Sequence, residues 1–142
     1  MTETTGAIAA IVFQTRIGVR WRDLDAFDHV NNSNYLTYLE EARVQWLRSF
    51  APDWGQVPTA PVLAASQLNY RVPIGWPGDV EVQLYALRLG NTSLTLAHRI
   101  VSADGSVLHC DGHVVLVWID RKSGRPAPLP EALRAACGVR TA

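Results

Sequence analysis

The stretch Trp21-Arg-Asp-Leu-Asp-Ala-Phe-Asp-His-Val-Asn-Asn-Ser-Asn-Tyr-Leu-Thr-Tyr-Leu-Glu-Glu-Ala-Arg43 decides how the rest of this chain is read. Its first half crowds three aspartates (Asp23, Asp25, Asp28), His29 and three asparagines (Asn31, Asn32, Asn34) into a dozen residues. Its second half runs straight into a helical pattern. Tyr35, Leu39, Ala42, Trp46 and Phe50 recur at helical spacing, and Tyr38 and Leu47 widen the stripe. Arg43 and Arg48 fall off that stripe, and Glu40 is placed to pair with Arg43 at i,i+3. Asn32 or Ser33 is the expected N-cap. Ala51-Pro52-Asp53-Trp54-Gly55 ends the helix, because a proline bars the residue before it from helical geometry. A carboxylate held just ahead of a helix N-terminus can attack a carbonyl or activate water to do so. The free amides of the first turn can then hold the developing oxyanion.

Upstream, Phe13, Thr15, Ile17, Val19 and Trp21 alternate with Gln14, Arg16 and Arg20, the period of a half-buried strand over residues 12–21. Downstream the pattern returns to strands. One covers 62–72 and is closed by Pro73; a second covers 80–89 and ends at the Gly90-Asn91 turn. A third covers 93–102 and meets the Ala103-Asp104-Gly105 hairpin signal. The fourth covers 107–119, where the run from Val114 to Ile119 reads as buried on both faces. A basic turn over 120–126 leads to a short helix over 130–136 with proline near its start. Strand, long helix, then four consecutive strands describes an α+β domain in which an antiparallel sheet wraps one helix. A doubly wound fold needs more crossover helices than this chain has.

A length of 142 residues with about half of them apolar fits one soluble domain spanning 1–142, with residues 1–10 as a flexible lead-in. Thirteen basic residues balance thirteen acidic ones, which argues against non-specific nucleic-acid binding. The N-terminus lacks the basic start of a signal peptide, and no apolar run reaches the ~18 residues of a membrane span. Cys110 and Cys137 lack metal-ligand spacing and read as reduced thiols, so a cytoplasmic location is expected. His98, His109 and His113 sit on strands without the spacing of a zinc site, so no metal is expected.

The series Asp25-x3-His29-x-Asn31-Asn32-x2-Tyr35, followed by Tyr38, Glu41 and Arg43, resembles the hot-dog-fold acyl-CoA thioesterases of the 4-hydroxybenzoyl-CoA thioesterase-like branch. The layout of nearly the whole chain matches that fold, the long helix lying inside the curved sheet. The resemblance implies that Asp25 is the catalytic carboxylate and that the backbone amide of Asn32, assisted by Ser33, is the oxyanion donor. It implies a substrate that is an acyl-CoA or acyl-carrier-protein thioester, no separate cofactor, and a homodimer, often paired into a tetramer, with its sites at the dimer interface. The branch's archetype lacks the His-x-Asn-Asn sequence, which long-chain acyl-CoA and acyl-carrier-protein thioesterases of the same fold carry. The resemblance therefore leans toward fatty acyl groups.

Each residue also has a plainer reading. Asp25 can serve an Asx-turn, and Asp23 and Asp28 can make loop hydrogen bonds. Asp23, two residues before Asp25 on an extended segment, would face the same side and perturb its titration. His29 can orient Asp25, bond the thioester oxygen, or simply hold the loop. Asn31 suits turn geometry, and Tyr35, Tyr38 and Trp46 line either the core or an acyl pocket. Glu41 faces the site, the dimer contact or solvent. Arg71 and Arg88, with the basic turn residues Arg121, Lys122 and Arg125, are candidates for the coenzyme A phosphates. Two other functions fit the same fold. A hydratase or dehydratase would want an Asp-x-Asn-Pro-x-His pattern, which is absent here. A non-catalytic thioester-binding module would have no need of Asp25.

Overall fold

The computed structural model describes residues 10–138. The expected lead-in over 1–10 lies almost wholly outside them. The element order is β1 (Ile11–Gly18), a 3-10 turn (Trp21–Asp23), α1 (Asn32–Phe50), β2 (Thr59–Tyr70), β3 (Asp79–Leu89), β4 (Ser93–Ser102), β5 (Leu108–Asp120) and α2 (Glu131–Ala136). The five strands form one antiparallel sheet in the order β1-β3-β4-β5-β2. α1 lies across the β1 and β3 half of it. This is the α+β arrangement that the sequence pattern predicts and the hot-dog fold that the resemblance implies.

The core forms where the helical stripe meets the strand alternation. Tyr35, Tyr38, Leu39, Ala42 and Trp46 of α1 are buried against Val80, Val82 and Leu84 of β3 and Leu94, Leu96 and Ile100 of β4. Trp46 stacks edge-on against Phe50 at a centroid distance of 5.3 Å.

The structure corrects the sequence reading in four places. The first strand stops at Gly18. The turn at Trp21–Asp23 breaks its period of two, so Trp21 is 70% exposed instead of facing inward. The N-cap is Asn31, one residue before the expected Asn32 or Ser33, and its side chain accepts the Ser33 amide. Arg43 is buried rather than off the packed face, because its long stem can lie along apolar surface; burial lowers its pKa, with Glu40 partly opposing. In β5, Val114, Leu116 and Trp118 are buried, whereas Val115, Val117 and Ile119 are only half-buried, since α1 covers one face of the sheet.

Arg43 shares the interior with His98, which is 2% exposed and has an Nε2 without a hydrogen-bond partner among the described residues. Burial, with the nearby positive charge of Arg43, pushes His98 down to about 4, so it is neutral at pH 7. Gly112 makes this packing possible. Its φ is +146°, and a Cβ there would collide with the Gln67 carbonyl and come within 3.0 Å of His98 Nε2.

Candidate active site at the start of the long helix

The loop between β1 and α1 is a small closed structure. Leu24 and Val30 form an antiparallel bridge, and residues 25–29 turn tightly between them. The Asp25 amide donates to the His29 carbonyl at 3.0 Å, and the Asp28 amide to the Asp25 carbonyl at 3.0 Å. Asp28 takes a φ of 65°, a conformation that aspartate tolerates better than most residues.

Asp23 locks this loop onto the helix. Its carboxylate is 2% exposed and accepts from the Tyr38 hydroxyl at 2.7 Å, the Arg20 amide at 3.0 Å and the Arg20 guanidinium at 3.3 Å. Its carbonyl accepts from the Asn31 amide at 2.9 Å and from Asn34 Nδ2 at 3.0 Å. Burial raises the Asp23 pKa, but the hydrogen bonds from Tyr38 and Arg20 outweigh it and leave the carboxyl below its ordinary value. Burial and then the Asp23 carboxylate hold the Tyr38 hydroxyl well above the usual range. Asp23 is therefore structural, and the 3-10 turn keeps it off the extended path that would have set it beside Asp25 on one face.

Asp25 both holds its own turn and faces outward. Its Oδ1 accepts the Phe27 amide at 2.9 Å, which is the Asx-turn, and its Oδ2 accepts a long 3.4 Å bond from Asn31 Nδ2. A carboxylate offers about four acceptor positions, so capacity remains for a ligand. Asp25 lines a cleft of ≈ 320 Å³ with His29, Asn32, Tyr35, Tyr70 and Arg71. At the head of α1, Asn31 Oδ1 takes the Ser33 amide and the Asn34 amide bonds the Asn31 carbonyl. The Asn32 amide, by contrast, has no partner among the described residues. A first-turn amide left open beside a carboxylate is what an oxyanion would need.

The remaining site candidates separate clearly. His29 lines the cleft, and its ring makes no hydrogen bond among the described residues, so it neither orients Asp25 nor braces the loop. Asn31 and Ser33 are not cleft-lining: Asn31 caps the helix and reaches Asp25, and Ser33 bonds Asn31 through both its amide and its Oγ at 2.7 Å. Tyr35 is buried, packs edge-on against Tyr70 at 4.9 Å, and has its pKa raised chiefly by burial. Glu41 sits elsewhere, exposed along α1 and accepting from Gln45 at 2.8 Å. Arg71 lies at the cleft but is bonded to Asp111 at 3.0 and 3.2 Å, an exposed pair that costs little to open. Arg88 is exposed at the far end of β3, opposite Thr95, away from this cleft within the chain. Sequence reasoning missed Phe27, Tyr70, Val72 and Pro73, which also line the cleft. Phe27, an 83% exposed aromatic inside a polar loop, was the available signal. Among the described residues no cluster of histidine, cysteine, aspartate or glutamate could hold a metal ion, and no helix is long and apolar enough to cross a membrane.

The fold places the chain in an enzyme class that comparison with known proteins identifies. The thioesterase-like superfamily model matches residues 19–137, and the chain belongs to that family. It is 32% identical over 125 residues to the long-chain acyl-CoA thioesterase FadM of Escherichia coli, covering 85% of this chain and 93% of that one. The PA2801 protein of Pseudomonas aeruginosa superposes with a TM-score of 0.85 at 39% identity, over 89% of this chain and 98% of that one. A Thermus thermophilus thioesterase solved in complex with coenzyme A and zinc has a TM-score of 0.77 at 36% identity, over 90% and 98% of the two chains. The class expected from the sequence, an acyl-CoA thioester hydrolase, is the class of FadM.

Proposed function

We propose that this chain hydrolyses fatty acyl-CoA to the free acid and coenzyme A, with Asp25 as the catalytic carboxylate and the Asn32 amide as oxyanion donor. The observation that carries the reading is the pairing of a cleft-lining Asp25, held by Phe27 and Asn31, with an Asn32 amide at the same cleft that has no partner among the described residues. The thioester carbonyl oxygen accepts from the Asn32 amide, and the α1 dipole favours the negative charge that develops there. Asp25 either bonds to the carbonyl carbon, expelling the thiolate and leaving an anhydride that water opens, or takes a proton from the attacking water. Multiple-turnover hydrolysis in ¹⁸O water followed by mass analysis of Asp25 separates these routes. His29, free in the cleft, hydrogen-bonds the substrate, and Arg71 turns from Asp111 to a coenzyme A phosphate.

Two features support the finer points. The name of the Escherichia coli relative, a long-chain acyl-CoA thioesterase, favours a fatty acyl group. β2, an edge strand, is exposed at six consecutive residues from Val62 to Gln67, which favours pairing with a second copy as a homodimer. The test is thiol release from a panel of acyl-CoA substrates, short to long plus aryl, by wild type and Asp25→Asn. The asparagine keeps an acceptor for the Phe27 amide, so the loop survives while the carboxylate is lost. Turnover should fall by about 10²–10⁴-fold. A folded Asp25→Asn variant with near-wild-type turnover would refute the assignment.

A further inference from the structure

Phe27 is the most exposed large apolar side chain among the described residues, at 83%. It sits on the tight turn between Leu24 and Val30, two residues after Asp25. A phenylalanine ring that finds a partner takes about 150–250 Å² out of water, so leaving one bare at the mouth of a cleft forgoes a large gain. The turn does not use the ring. Asp25 Oδ1 accepts the Phe27 backbone amide at 2.9 Å, a donor that alanine, leucine or tyrosine would supply equally, and the positive φ falls on Asp28. The side chain is therefore independent of the loop's own bonding.

Burial divides the cleft into an inner and an outer part. In the inner part, Val30 and Tyr35 are each 3% exposed, and Tyr35 packs on Tyr70. In the outer part, Phe27, Arg71, Val72 and Pro73 are exposed. A thioester held at Asp25 and the Asn32 amide carries two arms, the acyl group and the thiol. The thiol arm ends in a phosphate, which stays hydrated or meets a cation, so it suits the outer part where Arg71 stands. Two residues span at most about 7 Å, so the ring of Phe27 stays near Asp25. It meets the stretch of the thiol arm next to the sulfur, short of any nucleotide. That stretch is the pantetheine arm, planar amides joined by short methylene runs. Coenzyme A and the prosthetic group of an acyl carrier protein share it.

We propose that Phe27 is a substrate-binding residue that covers the pantetheine arm of the thiol, so that the enzyme recognises its leaving group through this ring. The proposal rests on the thioesterase reading above and adds to it a residue and the part of the substrate that it recognises. Covering half of such a ring corresponds to about tenfold or more in kcat/KM.

The test uses thiol release from three thioesters of one acyl group: octanoyl-CoA, octanoyl-pantetheine and S-ethyl octanethioate, which lacks the arm. Phe27→Ala should lower kcat/KM for the first two by the same factor, about tenfold or more, and leave the third within about twofold. Phe27→Tyr keeps the ring and should keep all three wild-type values. Wild-type kcat/KM for octanoyl-CoA against an octanoyl-loaded carrier protein tells which of the two supplies the arm, and the Phe27→Ala factor should be the same for both. A loss confined to octanoyl-CoA would place the ring on the nucleotide and overturn the proposal. An equal loss for all three substrates would assign the ring to the acyl group or to the loop, and no loss for any would assign it no role; either overturns the proposal. So would dissociation of the Phe27→Ala protein in sedimentation, since the ring would then serve a contact between copies. A wild type that hydrolyses none of the substrates would overturn the hydrolase reading itself, an outcome distinct from those in which the wild type is active.

Discussion

The two ends of α1 are built by different physics. At the N-terminal end, the loop from Asp23 to Asn34 is held by named polar contacts: Asp23 to Tyr38 and Arg20, Asp25 to Phe27 and Asn31, Asn31 to Ser33. At the C-terminal end, Trp46 packs on Phe50, and an apolar cavity beyond is closed by side chains from α1, the following loop, β2, β5 and the start of α2. The polar end depends on direction and protonation, because each bond has one donor and one acceptor. The apolar end depends on volume alone. One helix thus has a loop held by hydrogen bonding at its start and an apolar cavity defined by shape at its end.

The largest expected effect lies at the apolar end. Trp46 is 2% exposed, and Trp46→Ala should lower stability by about 3–5 kcal/mol through lost burial and the cavity left behind. Urea unfolding at pH 7 and at pH 3 should give the same deficit at both values, because no titrating group has lost a partner. A deficit that changed with pH would blur the distinction between the two ends.

Tyr38→Phe tests the polar end and should cost about 1–3 kcal/mol at pH 7, since the buried Asp23 carboxylate loses a donor. The folded Asp23 carboxyl lies below its ordinary value of 3.8. Its contribution is therefore present above pH 3.8 and is lost as pH falls through the folded value. Tyr38 is one source of that depression, so the gap between wild type and Tyr38→Phe should be widest at neutral pH and should narrow as pH falls below 3.8. A gap of constant size would mean that the hydroxyl serves packing instead of the carboxylate.

The same contrast explains what the sequence could reveal. The polar end was legible because its parts lie within sixteen residues and each is of a type with few uses: Asp25, His29, Asn32 and Tyr35 all reach the cleft. The succession of strands along the chain followed from alternation and turn signals, and β4 falls on the residues the pattern predicts. What failed were features set by tertiary neighbours. Arg43 is polar by type yet buried in the interior near His98. Trp21 is apolar by type yet exposed by a 3-10 turn. The cavity at Trp118, Pro61 and Ala132 has no local signature, because those residues come together only once β2, β5 and α2 are docked.

Asn31 carries the smallest expected effect and the sharpest division, because it does two jobs with two atoms. Its Oδ1 caps α1 through the Ser33 amide, and its Nδ2 reaches Asp25 at 3.4 Å. Asn31→Ala removes both and should lower stability by about 1 kcal/mol. Asn31→Ser restores a capping oxygen without the amide donor, so it should recover most of that stability. If the long bond to Asp25 also positions the carboxylate, turnover should not recover with it. The loss of one such bond, about 1 kcal/mol, corresponds to roughly fivefold in kcat. Stability from urea midpoints and kcat from thiol release, measured on both variants, separate the two jobs. If Asn31→Ser recovered both together, Asn31 would be a cap alone, and the orientation of Asp25 would rest on its turn with Phe27.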